Sequence, residues 1–173
     1  MTEENENKNT NEITITRVLD ASRERVWKAW TEPEQIMRWW GPKGFTAPVT
    51  QIDLRVGGKY LSCMRSPDGK DFWSTGIFQE IAEPEKLVMT DSFADEHGQV
   101  VPATYYGMSP DTPLEMLITV TIEELDGSRT LREATRMAGQ DSAALTESVQ
   151  EEVLGDIRRL LQLGMLSWQG PEG

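Results

Sequence analysis

The sequence predicts an α+β fold: one antiparallel β-sheet of about six to seven strands, wrapped on one face around a long carboxy-terminal α-helix. Three observations predict it. Short segments rich in β-branched and aromatic residues follow one another from Thr46 to Met137. Gly-Gly, Pro-Asp-Gly and Asp-Gly signals separate several of them, as hairpin turns do. The last segment changes period, with Leu154, Ile157, Leu161, Met165 and Trp168 at helical spacing.

Residues Met1 to Asn11 are polar and without apolar periodicity, and are expected to form a disordered tail. "EITITRVL" (Glu12 to Leu19) alternates in the manner of a half-buried strand, with Ile13 and Ile15 on one face. Ser22 is placed to cap a short helix over "RERVWKAWT", where Val26, Ala29 and Trp30 fall at helical spacing. Thr31 and Glu34 have the spacing of a capping box for a second short helix, "PEQIMRWW", which Gly41 and Pro42 end.

Strands follow in "TAPVTQIDLRV", "GGKYLSCMR", "FWSTGIFQEI" and "KLVMTDSF", with turns at Gly57-Gly58, "SPDGK" and "AEPEK". A stretch of about 20 residues, Ala94 to Pro113, shows no clear element, and loops of that length often act as lids or binding segments. "LEMLITVTIEEL" and "SRTLREATRM" make a last hairpin around "DGS". Leu145, Val149 and Val153 extend the terminal apolar stripe; a helix of about 25 residues would run about 37 Å, enough to cross a sheet. One domain over residues 12–170 accounts for all of these elements.

A continuous antiparallel sheet has a face that must be covered. A long amphipathic helix covers it if the sheet curls around the helix, and the two short helices then close one end. Such a clasp leaves room for an internal cavity. An empty apolar void of about 300 Å³, where ligand pockets begin, would cost on the order of 7 kcal/mol. That rivals the whole stability of a domain, about 5–15 kcal/mol. The void must therefore collapse, take in water around polar groups, or hold an apolar guest.

Composition narrows the function. The chain has 173 residues and a net charge of −12, without the basic footprint that phosphate neutralisation requires, which argues against nucleic-acid binding. Cys63 is the only cysteine, so neither an internal disulfide nor a cysteine-paired zinc site can form. No apolar run is long enough to insert in a membrane, and the amino terminus lacks the order of a signal peptide, so a reducing cytoplasm is expected.

The blocks "ITRVLDASRERVWKAWTEPEQIMRWWGPKGF", "LRVGGKYLSCMRSPDGKDFW", "GIFQEIAEPEKLVMTDSF" and "PLEMLITVTIEE" resemble the family named after the activator of heat-shock-protein-90 ATPase. That family lies within the START-like, birch-pollen-allergen-like (SRPBCC) superfamily. The resemblance runs from about Ile13 to Arg136 and implies the helix-grip fold. It implies small hydrophobic ligands for the superfamily as a whole, with cyclases and aromatases among its members. The carboxy-terminal "EEVLGDIRRLLQLGMLSW" departs from the family's usual pattern and keeps only its helical amphipathicity. The eukaryotic activator carries a separate amino-terminal domain for much of its chaperone contact, where this chain has a short acidic tail, so the chaperone role is the weaker inheritance.

In a helix grip the second short helix and the loop after it close the wide end, which places Trp39, Trp40 and Phe45 at the cavity mouth. Strand alternation adds Tyr60, Ser62 and Met64, then Trp73 or Phe72, and then Phe78. Met89, Met116 and Met165 join them, methionine being suited to pockets that take varied shapes. For each, solid core packing is the plain alternative. Glu80 shares a strand face with Gly76 and Phe78, so if Phe78 faces inward Glu80 follows, as a general base or a ligand contact. Pairing with an arginine, or capping the next turn, is its plain alternative. His97 lies in the loop with no nucleophile elbow nearby, and Cys63 has no base beside it. The residues suggest no metal site and no cofactor.

Three functions stay open: binding of a small hydrophobic or aromatic molecule in an internal cavity; a cyclase or isomerase using Glu80, Tyr60, Tyr105 or Tyr106 as acid or base; and a chaperone-linked or antitoxin-like interaction module. The scarcity of acid–base groups favours binding over catalysis. A homodimer is compatible with all three.

Overall fold

A computed structural model describes residues 11–19, 21–42, 44–125 and 128–137. The elements run β1 (Asn11–Leu19), α1 (Arg23–Thr31), α2 (Pro33–Trp39), β2 (Thr46–Ile52), β3 (Lys59–Arg65), β4 (Asp71–Ala82), β5 (Lys86–Ala94), a 3-10 turn (Ala103–Tyr106), β6 (Met116–Leu125) and β7 (Ser128–Met137). The strands form one antiparallel sheet in the order β1-β7-β6-β5-β4-β3-β2. Among the described residues the fold is α+β, with an open sheet and two α-helices, and it fits the helix grip. The long terminal helix expected from Leu145 to Trp168, with Met165, lies outside the described residues, as does the amino-terminal tail except Asn11, which begins β1.

β2 to β6 form a meander because each is an alternating run ended by a turn. Between β3 and β4 the "SPDG" turn is tied by Ser66 N donating to Lys70 O at 2.9 Å, and Arg65 grips Asp71 with two hydrogen bonds of 2.6 and 2.9 Å. Pro48 sits on β2, at the sheet's edge, where a missing N–H costs no ladder bond.

α1 begins at Ser22, whose Oγ accepts from Arg25 N at 3.2 Å, as its sequence position predicts. The capping box expected for α2 does not form. Thr31 is the last residue of α1, and its hydroxyl donates back to Trp27 O at 2.8 Å, leaving Glu32 as an N-cap without a side-chain bond. Pro33 then opens α2, where its lack of an N–H is harmless.

Both helices pack against one face of the sheet, called the inner face below. The core there joins Val26, Trp27 and Trp30 of α1 and Trp39 of α2 to Tyr60, Phe78, Leu87, Met89, Ile118, Val120 and Ile122 of the strands. The long loop after β5 is ordered rather than open. Ala94 bridges Val100, and Tyr106 in the 3-10 turn donates to Ala94 O at 2.6 Å while accepting from Trp73 N at 3.0 Å. Its ring lies 5.1 Å from Phe72 and 5.8 Å from Phe93.

Candidate functional site

A pocket opens between α1, α2 and the inner face of β2–β5. Trp30, Ile36, Trp39, Trp40, Ile52, Tyr60, Ser62, Phe78 and Met89 line it, around a cavity of about 30 Å³. Six of the residues expected from the sequence meet there: Trp39, Trp40, Tyr60, Ser62, Phe78 and Met89. Cross-strand register explains why. Ile52 stands opposite Tyr60, Thr50 opposite Ser62, and Phe78 opposite Met89, so these side chains share a face.

The three tryptophans stack edge to face, with ring centroids 4.9 Å apart for Trp30–Trp39, 5.3 Å for Trp39–Trp40 and 6.2 Å for Trp30–Trp40. They differ in anchoring. Trp39 is buried and its indole N–H donates to Ala29 O at 2.8 Å, which ties α2 to α1. Trp40, half-buried, sits one residue beyond α2, and its buried Nε1 has no hydrogen-bond partner among the described residues. Gly41 follows with φ +110°, a conformation that returns the chain toward β2 and that other residues rarely adopt.

Beneath the pocket is a polar pair that the sequence reading missed. The Tyr60 hydroxyl contacts a carboxylate oxygen of Asp91 and, at 3.2 Å, the carbonyl of Thr90. Gly76 makes this possible. It stands opposite Tyr60 in the ladder, and a Cβ there would lie 1.8 Å from Thr90 O and 2.7 Å from Tyr60 Cε1. The tyrosine ring passes over the bare glycine to reach β5. A phenol has one proton for two acceptors. The Tyr60 hydroxyl donates to Asp91, with the Thr90 carbonyl within reach as a second acceptor. Burial pushes the Asp91 carboxyl above its ordinary range against the opposing pull of the Tyr60 hydrogen bond. The Tyr60 phenol is raised well above its usual value by burial first, then by the Asp91 charge and hydrogen bond. The signal was present: Met89 and Asp91 are two apart on one strand, so the alternation that places the first inward places the second beside it.

A pH dependence follows. A carboxyl whose folded value is raised lends stability that is fully present below its unfolded value, about 4. That stability is lost as pH rises through the folded value. Asp91→Asn removes the ionisation and keeps an acceptor for the Tyr60 hydroxyl. Relative to the native protein, the variant is expected to gain stability steadily from about pH 4 upward through the raised Asp91 value. Urea midpoints of both proteins across that range measure it, and a constant difference would count against a raised Asp91 carboxyl.

Other expected site residues lie elsewhere. Glu80 is corrected outright. A bulge between Phe78 and Glu80 inserts Gln79, so Glu80 pairs with Val88 and its side chain turns outward, 51% exposed and bonded to Lys86 Nζ at 3.0 Å. One extra residue inverts the alternation beyond it. Trp73 is an odd number of residues before Phe78 in an unbroken stretch of β4, which puts Phe72 on the inner face instead, beneath Tyr106. Phe45 packs on Phe72 at 6.1 Å, Met64 lies against Gly41, and Met116 stands opposite Asp91; none of the three lines the pocket. Trp30, Ile36 and Ile52 line it unforeseen.

The remaining reactive groups are spent or exposed. Tyr106 is bonded at both ends of its hydroxyl, and Tyr105 and His97 are exposed. Cys63 is fully buried, and burial, with help from Asp71, pushes its thiol up to about 11. Among the described residues, no group of His, Cys, Asp and Glu could hold a metal ion, and no helix is long and apolar enough to cross a membrane.

An open antiparallel sheet with an aromatic pocket under two short helices defines a small α+β domain that fits the helix-grip fold. The chain belongs to the activator of Hsp90 ATPase homolog 1-like protein family, which it matches over residues 20–162. This agrees with membership of the SRPBCC superfamily. Solved structures agree in fold. A protein of Nitrosomonas europaea is 22% identical with a TM-score of 0.72, covering 88% of this chain and 92% of its own. A protein of Chromobacterium violaceum is 25% identical with a TM-score of 0.71, covering 88% and 96%. The AHSA1 protein of Silicibacter pomeroyi is 17% identical with a TM-score of 0.65, covering 89% and 98%. No curated protein shows significant similarity to the chain.

Proposed function

We propose that the protein binds a small apolar or aromatic molecule in the pocket under α1 and α2. The observation that carries this reading is the lining itself. Three tryptophans, Phe78, Met89, Ile36 and Ile52 surround the space, and among the described residues its side-chain oxygens come only from Ser62 and Tyr60. Such a wall binds by apolar contact and offers little acid–base chemistry. Family membership points the same way, since SRPBCC domains commonly bind hydrophobic ligands. The amphipathic sequence from Leu145 to Trp168 would close the rest of the inner face.

The cavity of about 30 Å³ is far below the roughly 300 Å³ of a ligand pocket. Binding therefore needs displacement of side chains. Trp40 is the lining residue best placed to move, because it lies outside α2, next to Gly41, and lacks the bond that holds Trp39.

Native mass spectrometry of freshly purified protein, before and after organic extraction, tests the proposal together with titration by naphthalene derivatives. Expected are a mass adduct that leaves with solvent and saturable uptake of the probe. A clean apo mass with no uptake up to the probe's solubility would overturn the reading. It would shift weight to a protein-contact role, for which Val100, Tyr105, Met108 and Leu114 offer exposed apolar surface after β5.

A further inference from the structure

We infer that the ligand carries a neutral hydrogen-bond acceptor, and that the Trp40 indole N–H is the donor that recognises it. This rests on the binding reading above and adds to it the polarity of the guest.

The two adjacent tryptophans are chemically unequal. Trp39 has its N–H satisfied by Ala29 O at 2.8 Å. Trp40 lines the same pocket, and its Nε1 is buried with no acceptor among the described residues. Buried donors are almost always paired, because leaving one without a partner forfeits its hydration. An aromatic face is only a weak substitute acceptor. A guest with an oxygen or nitrogen acceptor supplies what the lining does not. A second buried polar atom without a partner among the described residues, Thr50 Oγ1, stands opposite Ser62 in the β2–β3 ladder, so this side of the pocket also favours some polarity.

The charge of the acceptor follows from the neighbours. Among the described residues no lysine or arginine lines the pocket, and Asp91 lies beneath it on Tyr60. A carboxylate guest would lose its hydration without gaining a counter-charge. The acceptor class is therefore a carbonyl, ether or ring nitrogen on an apolar or aromatic frame.

Three probes of one shape separate the possibilities: 2-acetylnaphthalene, 2-isopropenylnaphthalene and 2-naphthoate. Affinities are measured by isothermal titration and referred to each neutral probe's partition into cyclohexane. The native protein should prefer the ketone over the alkene, and Trp40→Phe should reduce that preference by about two- to tenfold, the range of one neutral hydrogen bond. Naphthoate should bind more weakly than either neutral probe. In the native protein the ketone, and not the alkene, should move the Trp40 indole N–H proton resonance downfield, a readout that needs no variant. An unchanged ketone-to-alkene ratio in Trp40→Phe, or an indole resonance equally affected by both, would overturn the assignment while leaving apolar binding in place. Tighter binding of naphthoate would overturn the neutral-acceptor class. Failure of all three probes to bind the native protein would overturn the pocket reading and this inference with it.

Discussion

Gly76→Ala is expected to destabilise the protein by more than about 3 kcal/mol, at the upper end of single-substitution effects. The added methyl group would sit 1.8 Å from the Thr90 carbonyl oxygen and 2.7 Å from Tyr60 Cε1. The first contact is with backbone of the adjacent strand, so no rotamer change relieves it. β4 and β5 must separate locally, and Tyr60 must leave Asp91. Against a domain stability of about 5–15 kcal/mol, this removes a large share. Urea unfolding gives the magnitude. A loss under about 1 kcal/mol would mean that the close passage of Tyr60 over Gly76 is not the protein's packing in solution.

The second large effect is expected at Trp39. Trp39→Ala should cost about 3–5 kcal/mol, since it empties a large volume in the core. Trp39 is 3% exposed, joins α2 to α1 through Ala29, and contacts both other tryptophans of the pocket. Trp39→Phe should retain most of the packing while losing the indole bond, and so fall well short of the alanine loss. Thermal unfolding of the two variants separates volume from hydrogen bonding. Equal losses would mean that the tie to Ala29 O, rather than packing, holds α2 in place.

The sheet was legible because strand signals are local. Alternation and turn chemistry locate β2 to β6, and from β2 to β5 an antiparallel meander follows from short connections. The face of a residue was legible only as far as the alternation ran unbroken. Tyr60, Ser62 and Phe78 meet that condition. Glu80 fails it because the bulge at Gln79 depends on pairing with β5, which no single strand's sequence announces. The pair Trp39–Trp40 shows a different limit. Adjacent identical residues carry one composition signal, yet one ends the helix with its N–H bound and the other begins the loop with its N–H free of any described partner. Only the helix boundary, set by φ and ψ near Gly41, separates their roles. Trp30, Ile36 and Ile52 were missed because pocket membership arises where two helices meet a sheet, and docking angles are not written in periodicity.

The placement of β1 governs the order in which the chain can be assembled. Its ladder partner is β7, with Asn11 beside Met137. Of the described strands, a ribosome releases this one first and its mate last. Until then the segment has no neighbour in the native sheet, while β2 to β5, joined by short connections, can zip as they emerge, and β6 can add after the long loop. Closing so wide a loop is the entropic toll that the finished sheet must repay in a single late step.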